Sequence, residues 1–250
     1  MADEAIPAAT LILVRDSPGG RPELLMVERA QAMAFAAGAW VFPGGRIDPA
    51  DRVLATRLGR DCAAVAAMIA AIRETLEETA VPAALTPTPT ADDARQMQAK
   101  LATSADFAAI LDGAGLAIDW SALTLFARWV PEFHAVRRFD TLFYVARCPA
   151  GDWQPQIIAG ECAGAAWVGA ADLLQSERDG RARLIFPTRR TLERLARCSS
   201  FEDIRADALA HAVRAITPWV EERDGEKFIT IPDDLGFPVT AEKLDGLWRG

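Results

Sequence analysis

The sequence predicts an α/β fold in which helices cover the faces of a mixed β-sheet. Three observations predict it. Short apolar, β-compatible runs and helical-period segments follow one another as β-β-β-α, a helical connection, then β-β-β-α. The span Ala63–Thr79 carries apolar side chains at helical spacing. Of the 250 residues, 51% are hydrophobic and 25% charged, which supports one large core.

Ala8–Arg15 is apolar and strand-like, and Asp16–Pro22 is rich in turn formers. Glu23–Arg29 contains Leu24-Leu25-Met26-Val27, a second strand that makes a hairpin with the first. Gly38–Phe42 is a short strand running into the tight turn Pro43-Gly44-Gly45. In Ala63–Thr79, Val65, Ile69, Ile72 and Leu76 fall within an arc of roughly 60° at 100° per residue. Glu74, Glu77 and Glu78 fall on the opposite arc, and Arg73 stands one turn before Glu77. Pro82 stops this helix. Residues 83–120 read as a helical insertion, with Asp92–Ala102 and Ala105–Leu111 as weak amphipathic helices. Leu123–Trp129 and Phe139–Ala146 are strands joined by a loop holding His134, which reads as an ordinary loop residue. Ala165–Val168 is a strand, Ala171–Gln175 and Thr188–Ala196 are helices, and Lys227–Ile231 is a late strand after an Asp224-Gly225 turn. The expected organisation is one domain over residues 5–220 and a C-terminal extension over 221–250.

The net charge of −8 excludes a non-specific nucleic-acid binder, which needs a basic stripe. No apolar run is long enough to span a bilayer, and the opening residues lack the pattern of a leader. Cys62, Cys148, Cys162 and Cys198 form no CxxC pair, and only two His exist, so a Cys/His zinc site is not expected. Scattered cysteines suit a reducing compartment, and the expectation is a cytoplasmic protein. A homodimer is among the states the sequence allows.

Three carboxylates at i, i+3 and i+4 on one helix face repel one another unless solvent or a cation offsets them. Hard cations such as Mg2+ bind through one or two carboxylates plus substrate phosphates. Glu74, Glu77 and Glu78, with Phe42-Pro43-Gly44-Gly45 about thirty residues upstream, form the candidate site.

These residues resemble the box of the Nudix hydrolases, G-x5-E-x7-R-E-U-x-E-E-x-G-U with U a bulky aliphatic. Gly45, Arg73, Glu74, Glu77, Glu78 and Val81 match it. The resemblance implies a Nudix α/β/α sandwich whose box binds Mg2+ or Mn2+ at a diphosphate. It implies Glu74 and Glu78 as main metal ligands and Glu77 as a third, with Arg73 orienting Glu77. The departures are Asp51 where the box has Glu, Thr75 for an aliphatic and Ala80 for the late Gly. The 21 residues from Arg52 to Ile72 stand where the box has seven, a 14-residue insertion.

One branch with such an insertion includes the acyl-coenzyme A diphosphatases. The chain is similar to it at Glu28-Arg29-Ala30 with Phe35, Gly38–Gly45, Ala71–Glu74, Arg128–Val130, Arg137–Thr141 and Phe186-Pro187-Thr188. Of the coenzyme A signature of simpler relatives, Arg29 and Gly38 are in register, whereas Ala36 and Ala30 replace His and Ser. The resemblance implies a small nucleoside diphosphate substrate of the coenzyme A type, split to 3′,5′-ADP and a phosphopantetheine product. It adds Glu161, six before Trp167, as a site acid that serves as ligand or general base. Arg29, Gly44, Gly45, Arg137 and Arg138 are the substrate-binding candidates, the arginines because a guanidinium matches phosphate oxygens. The rival readings are hydrolysis of NADH, ADP-ribose or a dinucleotide, and a nucleotide-binding module without catalysis.

Overall fold

The computed structural model describes residues 5–17, 20–32, 36–60, 62–103, 106–131, 138–158, 160 and 162–244. Strands β1 (Ile6–Arg15) and β2 (Glu23–Arg29) are followed by β3 (Trp40–Val41) and β4 (Gly44–Arg46). Helices α1 (Pro49–Arg57) and α2 (Ala63–Thr79) come next. A small ribbon of β5 (Leu85–Thr86) and β6 (Ala117–Ile118) closes a loop holding α3 (Ala91–Leu101) and α4 (Phe107–Ala114). The chain continues through β7 (Thr124–Trp129), β8 (Phe139–Arg147), β9 (Cys162–Gly169), α5 (Ala170–Arg178), α6 (Phe186–Leu195), α7 (Phe201–Ala210) and β10 (Ala215–Ile216). It ends in β11 (Trp219–Arg223), β12 (Glu226–Thr230) and β13 (Ala241–Lys243).

Among the described residues the main sheet runs β10-β7-β8-β1-β2-β3, with β4 on β1 and β9 on β2. It is mixed, because β1 and β8 are parallel while β2, β4 and β9 pair antiparallel. The expected β1–β2 hairpin forms, but its ladder holds only Val14↔Leu24 and Arg15↔Glu23. Beyond that point the strands part. β3 pairs with β2 at Val27 and Glu28, and β4 pairs with β1 at Ala8–Thr10. Phe42-Pro43 therefore carries the chain from one strand to the other, with the Pro43 carbonyl accepting from Leu11 (3.0 Å). This crossover sets Gly44 and Gly45 beside the middle of the sheet.

Alternation along β1 divides the core in two. Ala9, Leu11 and Leu13 pack under Ile69, Ile72 and Leu76 of α2 together with α1, α3 and α4. Ile12 and Val14 pack on the other face with Leu173, Leu192 and Ile204 of α5, α6 and α7. The result is the α/β/α sandwich that the sequence predicts. The α2 span agrees with expectation, but its acidic face is not simply turned to solvent. Ala66, Ala67, Ala70, Ala71 and Thr75 are buried too, so small residues let neighbours close in all around.

Several elements were not expected, among them α1, α7 and two late strands. Helix α1 starts before Asp51 and runs into the segment read as an insertion in the box; Pro49 sits in its first turn and Asp48 and Asp51 make a capping box. Helix α7 follows Ser200, whose hydroxyl accepts from Asp203 N. Strands β11 and β13 flank β12 in a second sheet. That last segment is packed onto the body. Phe237 meets Trp129 edge-on (centroids 5.4 Å), and Arg190 donates to Glu242 (2.9 Å).

Candidate active site

Gly44 and Gly45 are required by close approach. A Cβ on Gly44 would lie 2.5 Å from the Ala9 carbonyl oxygen. A Cβ on Gly45 would lie 2.4 Å from the Glu74 carboxylate. Helix α2 thus presses its acidic face against β4. Gly44 N–H donates to Glu78 Oε2 (3.1 Å), and the Cys162 thiol contacts Glu78 Oε1 (3.8 Å).

Arg73 organises the carboxylates. Its Nε and Nη2 donate to the two oxygens of Asp51, both at 3.0 Å. Nη1 donates to Glu74 (2.9 Å) and Glu77 (3.4 Å), and Nη2 also reaches the Arg46 carbonyl (3.1 Å). The expectation was a pair with Glu77; the shorter contacts are with Asp51 and Glu74. Asp51 is the residue sequence reasoning set aside as a departure. It is almost fully buried, and besides Arg73 it accepts from Asp48 N (2.8 Å), which joins α1 to α2. The capping pattern Asp48-Pro49-x-Asp51 is the signal that could have located α1 and aimed Asp51 inward.

Burial pushes the Glu74 carboxyl up to about 7; Arg73 opposes the shift and Glu77 adds to it. Interaction with Asp51, Glu74 and Asp48 holds the Arg73 guanidinium above its ordinary value against the effect of burial. The other departures are also accommodated. Thr75 is buried with its hydroxyl on Ala71 O (2.7 Å), and Ala80 takes the left-handed cap position, φ 57°.

A cleft of about 660 Å³ opens here, lined by Gly44, Gly45, Glu74 and Glu77 among others. Arg29 lines it from the end of β2. Arg138 stands before β8, with its carbonyl accepting from Ile6 N (2.7 Å), and is not among the lining residues. Arg137, Glu161, His134 and Phe35 lie outside the described residues. Among the described residues no three His, Cys, Asp or Glu are gathered closely enough to hold a metal ion. The donor set nevertheless fits a hard cation. Three carboxylates share one helix face, and Glu74, more buried than Glu77, is held up by its burial even with Arg73 beside it, so a further cation would favour its charged form.

The NUDIX domain family model matches residues 5–100. A Nudix hydrolase structure from Alicyclobacillus acidocaldarius is 30% identical, with a TM-score of 0.71 over 82% of this chain and 97% of that one. The chain belongs to the Nudix hydrolase family. It is therefore a pyrophosphohydrolase by class, and enzymes of this family generally need divalent metal ions. The Nudix domain of Shewanella oneidensis NrtR complexed with ADP ribose matches at 17% identity and TM-score 0.46, over 78% and 88% of the two chains. A MutT Nudix hydrolase from Burkholderia pseudomallei matches at 18% and 0.43, over 76% and 98%. No match was found among curated protein sequences. No Nudix-chain helix among the described residues is long and apolar enough to cross a membrane.

Proposed function

We propose that the protein hydrolyses the diphosphate of coenzyme A or an acyl derivative, giving 3′,5′-ADP and a phosphopantetheine product. The observation that carries the hydrolytic reading is the closure of Glu74 and Glu78 onto Gly45 and Gly44. One face of helix α2 and the start of strand β4 thereby share a single carboxylate-rich spot. The branch-like stretches Gly38–Gly45, Arg128–Val130 and Phe186-Pro187-Thr188 support the substrate.

Glu74 and Glu78 would hold Mg2+ or Mn2+, with Glu77 as a third ligand. When bound, the ion neutralises diphosphate charge and polarises the phosphorus under attack. Arg73 keeps Glu74 and Glu77 in register from the Asp51 side. Glu77, the member of the Arg73 network on α2 with the more open carboxylate, takes a proton from water at its carboxylate oxygen. Glu161 is the second candidate for that role. Arg29, with Arg137 and Arg138, serves the phosphates by fork-shaped donation.

Incubation of the purified protein with Mg2+ or Mn2+ and a panel of coenzyme A, NADH and ADP-ribose tests the substrate. Cleavage of another member but not coenzyme A overturns it. Glu78→Gln removes a ligand charge at nearly constant shape and should abolish turnover with the fold intact. Unchanged turnover would refute the site.

A further inference from the structure

The cleft draws its lining from both faces of the sheet. Thr10, Thr141 and Phe143 lie on the α6 face, by the register of β1 and β8. Leu54 of α1, Leu101 of α3 and Phe107 of α4 belong to the opposite, α2 side. Glu74 and Glu77 line the same cleft, so the carboxylates have a chamber of the cleft on their own side of the sheet. Its walls come from two separate stretches of chain, and Arg57 clasps them by a two-pronged bond to Asp112 (2.8 and 3.2 Å).

The chemistry of this chamber is specific. Its apolar wall is Leu54, Leu101, Phe107 and Ala108, and the charged side chains that α1 and α4 bring to the lining are Asp48, Asp51 and Asp106. Asp51 and, at 3.6 Å, Asp48 are matched by Arg73, whereas among the described residues Asp106 accepts a helix N–H, from Ala108 (3.1 Å), and meets no cation. Asp106, which meets no cation among the described residues, disfavours a second phosphate or a carboxylate beside it, and apolar walls favour a chain. We propose that the chamber between α1, α3 and α4 is a specificity arm that takes the uncharged, largely apolar half of the diphosphate ester. The inference rests on the diphosphatase reading above, and it disfavours substrates whose second half is another nucleotide.

ADP esterified with methyl, butyl or octyl alcohol tests it, with an ω-carboxy-octyl ester as the charged control. Cleavage is followed with Mg2+, and binding is measured by calorimetry without metal. Each methylene taken into the arm should raise kcat/KM and affinity about fourfold. The carboxylated ester should lose at least tenfold against the octyl ester. Ala50, exposed on α1 and lining the cleft, allows the arm to be filled without touching the core. Ala50→Phe should abolish the dependence on chain length. Val53→Ser, at an exposed position of α1 outside the lining, should keep it. Equal cleavage of all neutral esters overturns the arm and leaves the hydrolase reading standing. A chain-length slope that survives in Ala50→Phe also overturns the arm's placement. Graded binding without any cleavage does the reverse, supporting the arm and sinking the hydrolase reading.

Discussion

Asp51→Ala tests whether α1 is part of the catalytic frame. Its side chain is 1% exposed and Arg73's is 10%, so the pair is shielded from solvent. Removing one partner of a buried pair costs about 3–5 kcal/mol. Arg73 keeps Glu74, Glu77 and the Arg46 carbonyl, which argues for about 3 kcal/mol here. The same substitution removes the bond from Asp48 N that closes the α1 cap, adding about 1 kcal/mol. The total of about 4 kcal/mol should lower Tm by roughly 8–16 °C in a chain of this size. Urea unfolding should show a lower midpoint with the slope unchanged. With Asp51 gone, Arg73 leans on Glu74 and Glu77, so Mn2+ titration should show weaker binding as well. In Arg73→Met, Asp51→Ala should cost at least 2 kcal/mol less than in the parent, because no guanidinium is left unmatched. A loss below about 1 kcal/mol, or the same loss in both backgrounds, refutes the clamp.

Three further outcomes follow from the same geometry. Gly45→Ala should fold with nearly parental Tm yet lose metal binding and turnover, because the new methyl meets only the movable end of Glu74; Gly44→Ala, which meets the Ala9 carbonyl, should lose stability too, and circular dichroism melts with Mn2+ titration separate the two. The Glu74 carboxyl, at about 7 in the folded chain against an ordinary 4.5, binds its proton more tightly than in the unfolded chain. The stability it contributes to the metal-free protein is fully present below about pH 4.5 and is lost as pH rises through 7, on the order of 3 kcal/mol. Metal affinity should correspondingly weaken as pH falls below 7, and a flat calorimetric profile from pH 5.5 to 8 would contradict the assigned burial. Ala80→Gly, at φ 57°, should stabilise by about 1 kcal/mol, since an L side chain is disfavoured there; a fall in the urea midpoint would refute it.

Helix α2 was legible because its period and its Pro82 stop are local. The glycines of Phe42–Gly45 were legible as a special segment because close approach demands them, but they begin strand β4 on β1 rather than forming the tight turn expected. The identity of Arg73's main partner was not, since Asp51 is 22 positions away and only packing of α1 on α2 joins them. Helix α1 carried a readable start signal, but its short apolar face, Leu54 and Ala55, gave little periodicity. Helix α7 likewise had its Ser200 cap and a modest buried set of Phe201, Ile204 and Ala208. In β11, Trp219 and Val220 are exposed in succession, so the alternation that marks a half-buried strand is missing. The contact of Phe237 with Trp129 spans more than a hundred residues and has no local signature.

On the box alignment proposed from the sequence, the long connection between Asp51 and Arg73 is an interruption of the box, and its geometry suggests how that is accommodated. Going from seven to 21 intervening residues adds about 1 kcal/mol of loop-closure cost. Burying Leu54 against α2 returns about 1.5–3 kcal/mol, enough to offset it. Cost alone does not protect the chemistry, because a longer loop could still pull Glu74 away from Gly45. What protects it is where the excursion is tied. Asp51 grips Arg73 at its two ends, and the helix from Arg73 onward has rigid spacing to Glu74, Glu77 and Glu78. The chain between can lengthen, fold into α1 and become a wall of the cleft without moving a carboxylate. Variation in length is therefore expected to be tolerated between the end of α1 and the start of α2, and variation in chemistry at Asp51 and Arg73 is not.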